Sequence, residues 1–192
     1  MSRPKEFDRA TALKAAIAVF SDHGYEGTST DALLEAMGIS RQSMYDTFGD
    51  KRRLYLDALQ QYNADSVSDI IRSLNTPTSP LKGLEAALIA FASRPAPKAE
   101  FTCMGISSIC EFGRSDPEVM LVNDAAGRTL LSAFERRVTE AKAKGEVGRD
   151  LDVRAAAEFM QAILAAIKVT ARGGAPAETL KGIVRLALRS LR

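Results

Sequence analysis

Apolar residues recur at spacings of three and four along almost the whole chain, the period of helices that each bury one stripe. Leu13, Ala16, Ile17 and Phe20 form the first stripe and predict a helix from about Arg9 to His23, stopped by Gly24. Leu33, Leu34 and Met37 form the second, with Thr28 as its expected N-cap and Asp31 three residues on, a capping-box pattern. Gly38 should end it. Ser40 should cap a third helix that runs to Phe48, and Gly49 should end that one. Asp50 then caps a long fourth helix carrying Leu54, Ala58, Leu59, Tyr62, Ile70, Ile71 and Leu74.

The segment NTPTSP (75–80) breaks this run, and Ser79-Pro80 is a cap followed by proline at the first helical position. A fifth helix is expected to about Arg94, then a loop over RPAPKAE (94–100), where the prolines forbid continuous helix. A short apolar helix is expected over 102–113, and a long one from Asp116-Pro117 to near Gly145. Asp152 caps another, with Ala156, Phe159, Met160, Ile163, Leu164 and Ile167 on its apolar side and Gly173-Gly174 beyond its end. The last, 177–191, shows Leu180, Ile183, Val184, Ala187, Leu188 and Leu191. No strand pattern competes. The expected fold is all-α with about nine helices: a three-helix head over 1–50 and a larger helical domain over 51–192.

Helices two and three, joined by a tight turn at Gly38, have the form of a helix-turn-helix, whose second helix reads a DNA major groove. On a wheel of 100° per residue, Met44 and Phe48 of helix three point inward. Gln42 and Asp46 point outward, flanked by Ser43, with Tyr45 and Thr47 on the shoulders. Gln42 has the donor and acceptor pair that fits an adenine edge, and Arg41 fits a guanine or a phosphate. Asp46 accepts from a cytosine amino group but repels phosphates. Thr28 with the free amides that start helix two, and Lys51 at the start of helix four, are further phosphate sites.

The segment AIAVFSDHGYEGTSTDALLEAMGISRQSMYDTFGDKRRLYLDAL resembles the N-terminal domain of the TetR-family transcriptional regulators. The shared pattern stands at Phe20, Gly24, Thr28, Leu33-Leu34, Gly38-Ile39-Ser40, Met44-Tyr45, Phe48 and Lys51, over roughly residues 9–60. The resemblance implies that Thr28, Tyr45 and Lys51 touch phosphate, and that Arg41, Gln42 and Ser43 face bases or backbone. It also implies a C-terminal ligand-binding domain that dimerises through the last two helices. The chain departs from the family at Asp46-Thr47, where many members carry a basic or aromatic residue and then His or Tyr.

Charge sharpens this picture. The whole chain has a net charge of +2, yet residues 1–60 hold eight Lys/Arg against nine Asp/Glu, a net −1. Bulk charge therefore does not carry the DNA reading; local placement does, and a dimer doubles a modest number of phosphate contacts. Two cysteines are too few for a disulfide framework and suit a reduced cytoplasmic setting. The start of the chain is charged and lacks the apolar core of a signal peptide. No run of about 18 apolar residues predicts a membrane span.

The segment FTCMGISSICEFG (101–113) mixes small, polar and apolar residues on an expected buried helix. Cys103 and Cys110 are seven apart and share a face there. Small buried side chains, a pocket wall with Ser107, Glu111 or a thiol as polar anchor, and a thiol that senses electrophiles or oxidants are the competing readings. Cys103, Met104, Ser107, Phe112, Phe134 and Phe159 are the candidate effector contacts. One histidine, His23, and no Cys/His cluster argue against a metal, and no cofactor motif appears. Gly105-Ile-Ser107-Ser-Ile109 lacks the last glycine of a nucleophile elbow.

The expected function is a homodimeric repressor, not an enzyme, released from a palindromic DNA operator by a small-molecule effector. The alternatives are a thiol sensor on the same scaffold using Cys103/Cys110, and a helical enzyme or interaction module with no DNA role.

Overall fold

The computed structural model describes residues 7–92 and 103–192, and these form nine helices and no strand. They are α1 (Arg9–His23), α2 (Thr30–Met37), α3 (Arg41–Phe48), α4 (Lys51–Asn75), α5 (Pro80–Ala92), α6 (Met104–Phe112), α7 (Pro117–Ala143), α8 (Val153–Arg172) and α9 (Ala177–Arg189). The loop expected over 94–100 lies outside the described residues.

The helix ends follow local chemistry. Asp8 caps α1 by accepting from the Thr11 amide at 2.9 Å. The Asp50 carboxylate accepts from the Arg53 amide at 2.8 Å and Asp152 from that of Ala155 at 3.0 Å. Such caps satisfy amides that have no partner within the helix. One cap differs from expectation: Ser29, not Thr28, is the N-cap of α2, its hydroxyl accepting from the Ala32 amide at 3.1 Å.

The chain divides into two compact units. Among the described residues, the first holds 7–63 and 103–123, and the second holds 64–92 and 124–192. This division differs from one at residue 50: the first half of α4, α6 and the start of α7 belong with the reading head. The first unit's core gathers Ala16 and Phe20 of α1, Leu33 of α2, Met44 and Phe48 of α3, and Leu54, Tyr55 and Leu59 of α4. Met104 of α6 and Val119 of α7 complete it. Phe20, Tyr25, Tyr55 and Phe112 pack as an aromatic cluster with ring centroids 5.0–6.5 Å apart.

The second unit's core is built from Ile70, Leu74, Leu84, Leu88, Phe134, Val138, Met160, Leu164, Ile167 and Val184, among others. Arg137 is buried beside it and clamps the α4–α5 turn, donating to the carbonyls of Pro77 at 3.1 Å and Ser79 at 3.4 Å.

Candidate nucleic-acid interface

The turn between α2 and α3 is set by Gly38, whose φ of 64° and ψ of 32° lie in the left-handed region that glycine enters without penalty. Its amide donates to the carbonyls of Leu34 and Glu35. Ser40 then caps α3, its hydroxyl accepting from the Ser43 amide at 3.1 Å and pairing with the Ser43 hydroxyl at 2.9 Å. Met44 and Phe48 are buried in the unit's core, as the wheel requires. Arg41, Gln42, Tyr45 and Asp46 are exposed, and Ser43 is half-buried beside them.

The outward polar groups are paired with each other. Arg41 donates to Asp31 of α2 at 2.6 Å. The Gln42 amide donates to Asp46 at 2.8 Å, one helical turn away. The Asp46 charge is thus partly met by a neighbour on its own helix. The ammonium of Lys51 lies 4.3 Å from the centroid of the Tyr25 ring, a cation–π contact that holds it at the start of α4.

Thr28 is not an outward residue. It is only 2% exposed, and its hydroxyl donates to the Gly24 carbonyl, closing the α1–α2 turn from beneath. The side chain available to a phosphate at that helix start is Ser29, which is exposed.

A further residue of the reading head has no local sequence signal. Glu111 of α6, expected as a pocket anchor, accepts instead from the backbone amides of Tyr25 at 3.0 Å and Glu26 at 3.2 Å, in the turn that leads into α2. Arg52 of α4 likewise bridges to Asp116 at 2.5 Å and Glu118 at 3.2 Å at the start of α7. No sequence period links residues this far apart.

A model of bacterial regulatory proteins of the tetR family matches residues 12–58, from α1 into α4. An uncharacterized HTH-type transcriptional regulator of Bacillus subtilis, YezE, is 34% identical over the full length of both chains. The chain belongs to the TetR family. It is therefore a DNA-binding transcriptional regulator and not an enzyme, which removes the reading as a helical module without a DNA role. The HTH-type transcriptional repressor ComR of Escherichia coli is 29% identical over 97% of this chain and 90% of its own. Among solved structures, a cysteine-substituted form of the TetR-family regulator CifR, complexed with a 26-base-pair double-strand operator DNA, is 31% identical. It covers all of both chains with a TM-score of 0.81.

The candidate effector contacts of this TetR-family chain fall in both units. Met104 is buried in the core of the first unit, and Phe112 packs in that unit's aromatic cluster. Ser107 is half-buried in α6. Phe134 is fully buried in the core of the second unit, whereas Phe159 is 37% exposed on α8. Nor do the two cysteines share a helix face. Cys103 lies before α6 with extended backbone (φ −93°, ψ 104°) and is buried, while Cys110 is exposed within the helix. The described residues contain no His/Cys/Asp/Glu group able to hold a metal, and no helix long and apolar enough to cross a membrane.

Proposed function

We propose that this TetR-family regulator is a cytoplasmic homodimeric repressor that reads a palindromic operator with α3 and leaves it when a small molecule binds. The observation that carries the reading is the outward face of α3, where Gln42, Tyr45 and Asp46 stand exposed over a buried Met44 and Phe48. Gln42 and Arg41 meet base edges, Ser43 and Tyr45 the adjoining backbone, and Lys51 a phosphate. The role expected of Thr28 passes to the amides at the start of α2 and to the exposed Ser29 hydroxyl. DNA would exchange the Arg41–Asp31 and Gln42–Asp46 pairs for contacts to the operator.

A partner copy is supported by α8 and α9. Ala155, Phe159, Ala162, Ala166 and Val169 are all exposed and recur at spacings of four and three, one continuous small and apolar face of α8. Leu186 of α9 is 68% exposed. Large exposed apolar side chains in register mark an interaction surface, and a two-fold partner presents the same surface in return. A dimer of this kind must hold its two reading helices about 34–36 Å apart to meet successive major grooves. An effector that prefers a different separation lowers operator affinity by its differential affinity for the two states.

A gel shift with the DNA flanking its own gene tests the reading. Tyr45→Phe combined with Lys51→Ala should abolish the shift while circular dichroism stays unchanged. A dimeric chain that binds no DNA at low salt refutes it.

A further inference from the structure

The positive charge of this chain is not in its reading head. Among the described residues, the first unit carries seven Lys and Arg against eleven Asp and Glu, a net −4, and the second carries fifteen against eleven, a net +4. Four of the second unit's cations, Lys82, Arg185, Arg189 and Arg192, line one open cleft of about 840 Å³. It lies between the start of α5, the turn from α7 to α8, and the end of α9.

None of the four forms an ion pair with a described residue. Two carboxylates share the wall. Glu146 is already committed: it accepts from the Leu81 amide at 2.7 Å and the Ser79 hydroxyl at 2.9 Å, and these bonds hold its pKa below the ordinary value. Glu146 therefore stays ionised, and with Glu85 it sets two carboxylates against four cations, which leaves the cleft with a surplus of positive charge. Like charges brought around one concavity repel each other and concentrate counter-ions there. The cleft's volume falls within the range of about 300–1,000 Å³ found for small-molecule sites. Guanidinium groups recognise carboxylate and phosphate through paired N–H donors. Arg185 and Arg189 stand one turn apart on α9 and Arg192 follows the helix end, so three such forks line the cleft.

We propose that this cleft is a binding site for a small polyanion, a molecule with two or more carboxylate or phosphate groups. The cations supply the affinity, and Glu85 disfavours anions that cannot span at least two arginines.

Isothermal titration of the full chain with pyrophosphate and with propane-1,2,3-tricarboxylate tests it, with acetate as the single-charge control. At least one polyanion should bind saturably, one per chain, while acetate does not. Binding by pyrophosphate alone assigns phosphate chemistry, and binding by the tricarboxylate alone assigns carboxylate chemistry. Raising the salt should weaken it, since these charges are open to solvent. Arg185→Glu with Arg189→Glu should weaken it at least about tenfold, the loss of charge-assisted bonds. Arg128→Glu, exposed and away from the cleft, should leave it unchanged. Should the double variant not fold, Arg189→Gln alone carries the comparison and should reduce binding. Absence of saturable binding by either polyanion overturns the proposal, as does equal weakening by Arg128→Glu. No DNA enters the titration, so this result is independent of the operator assay.

Discussion

Glu111 and Tyr25 lie 86 residues apart in sequence, yet the Glu111 carboxylate accepts from the Tyr25 backbone amide at 3.0 Å. Its second oxygen accepts from Glu26 at 3.2 Å, so one side chain of α6 fastens the turn between α1 and α2. Gly24 permits the approach: its φ is +72°, and a Cβ there would stand 2.6 Å from the carboxylate.

The first prediction concerns this fastening. Glu111→Ala should cost about 1 kcal/mol in urea unfolding, the usual net worth of hydrogen bonds open to solvent. It should also lower operator affinity, because the turn it frees leads into α2. Gly24→Ala should destabilise by about 1–2 kcal/mol, from its positive φ and from displacing the same carboxylate. Operator affinity unchanged in Glu111→Ala would show that the turn keeps its place unaided.

Asp46 places a negative charge on the DNA-facing side of α3, and Gln42 partly meets it. Asp46→Asn keeps the Gln42 partner and removes the charge. Operator affinity at low salt should rise about three- to tenfold, and the gain should shrink as salt screens the phosphates. Fluorescence anisotropy across a salt series measures this. A loss of affinity confined to one operator position would instead assign Asp46 to a cytosine amino group.

The exposed face of α8 predicts the assembly. Val169→Glu, or Phe159→Glu, puts a charge in the middle of the proposed two-fold contact, which costs several kcal/mol when buried unpaired. Light scattering should show a monomer, and operator binding should fall with it. A variant that stays dimeric would move the interface elsewhere.

Acid should loosen the first unit at Asp116. Burial alone would raise its carboxyl pKa, but the Val119 amide and the Arg52 guanidinium outweigh this and hold it below 3.8. A depressed pKa contributes stability that is fully present above the unfolded value and is lost as pH falls through the folded one. Unfolding followed from pH 5 downward should therefore show a loss beginning near pH 4, and Asp116→Asn should flatten it. Asp116 and Arg52 are half-buried near the surface, so the effect is a fraction of what a fully buried pair would give.

The nine helices and nearly all their ends were legible in the sequence, because helical period and caps are local: Gly38, Ser40 and Asp152 act within four residues of themselves. The same period sorted Met44 and Phe48 from Gln42 and Asp46, so the reading face of α3 was legible too. Spacing could not choose between adjacent hydroxyls. Thr28 and Ser29 both suit a cap, and the Gly24 carbonyl beneath the turn takes the threonine.

Contacts across sequence distance were decided only by tertiary packing. Nothing near Glu111 marks it as a partner of the α1–α2 turn. Cys103 and Cys110 share a face only if the helix already runs through 103, and it begins one residue later. The large apolar candidates Met104, Phe134 and Phe159 look alike as sequence, and the fold puts them in one core, in another, and on an open face. Hydrophobicity says that a side chain seeks burial; only the assembled helices decide against what.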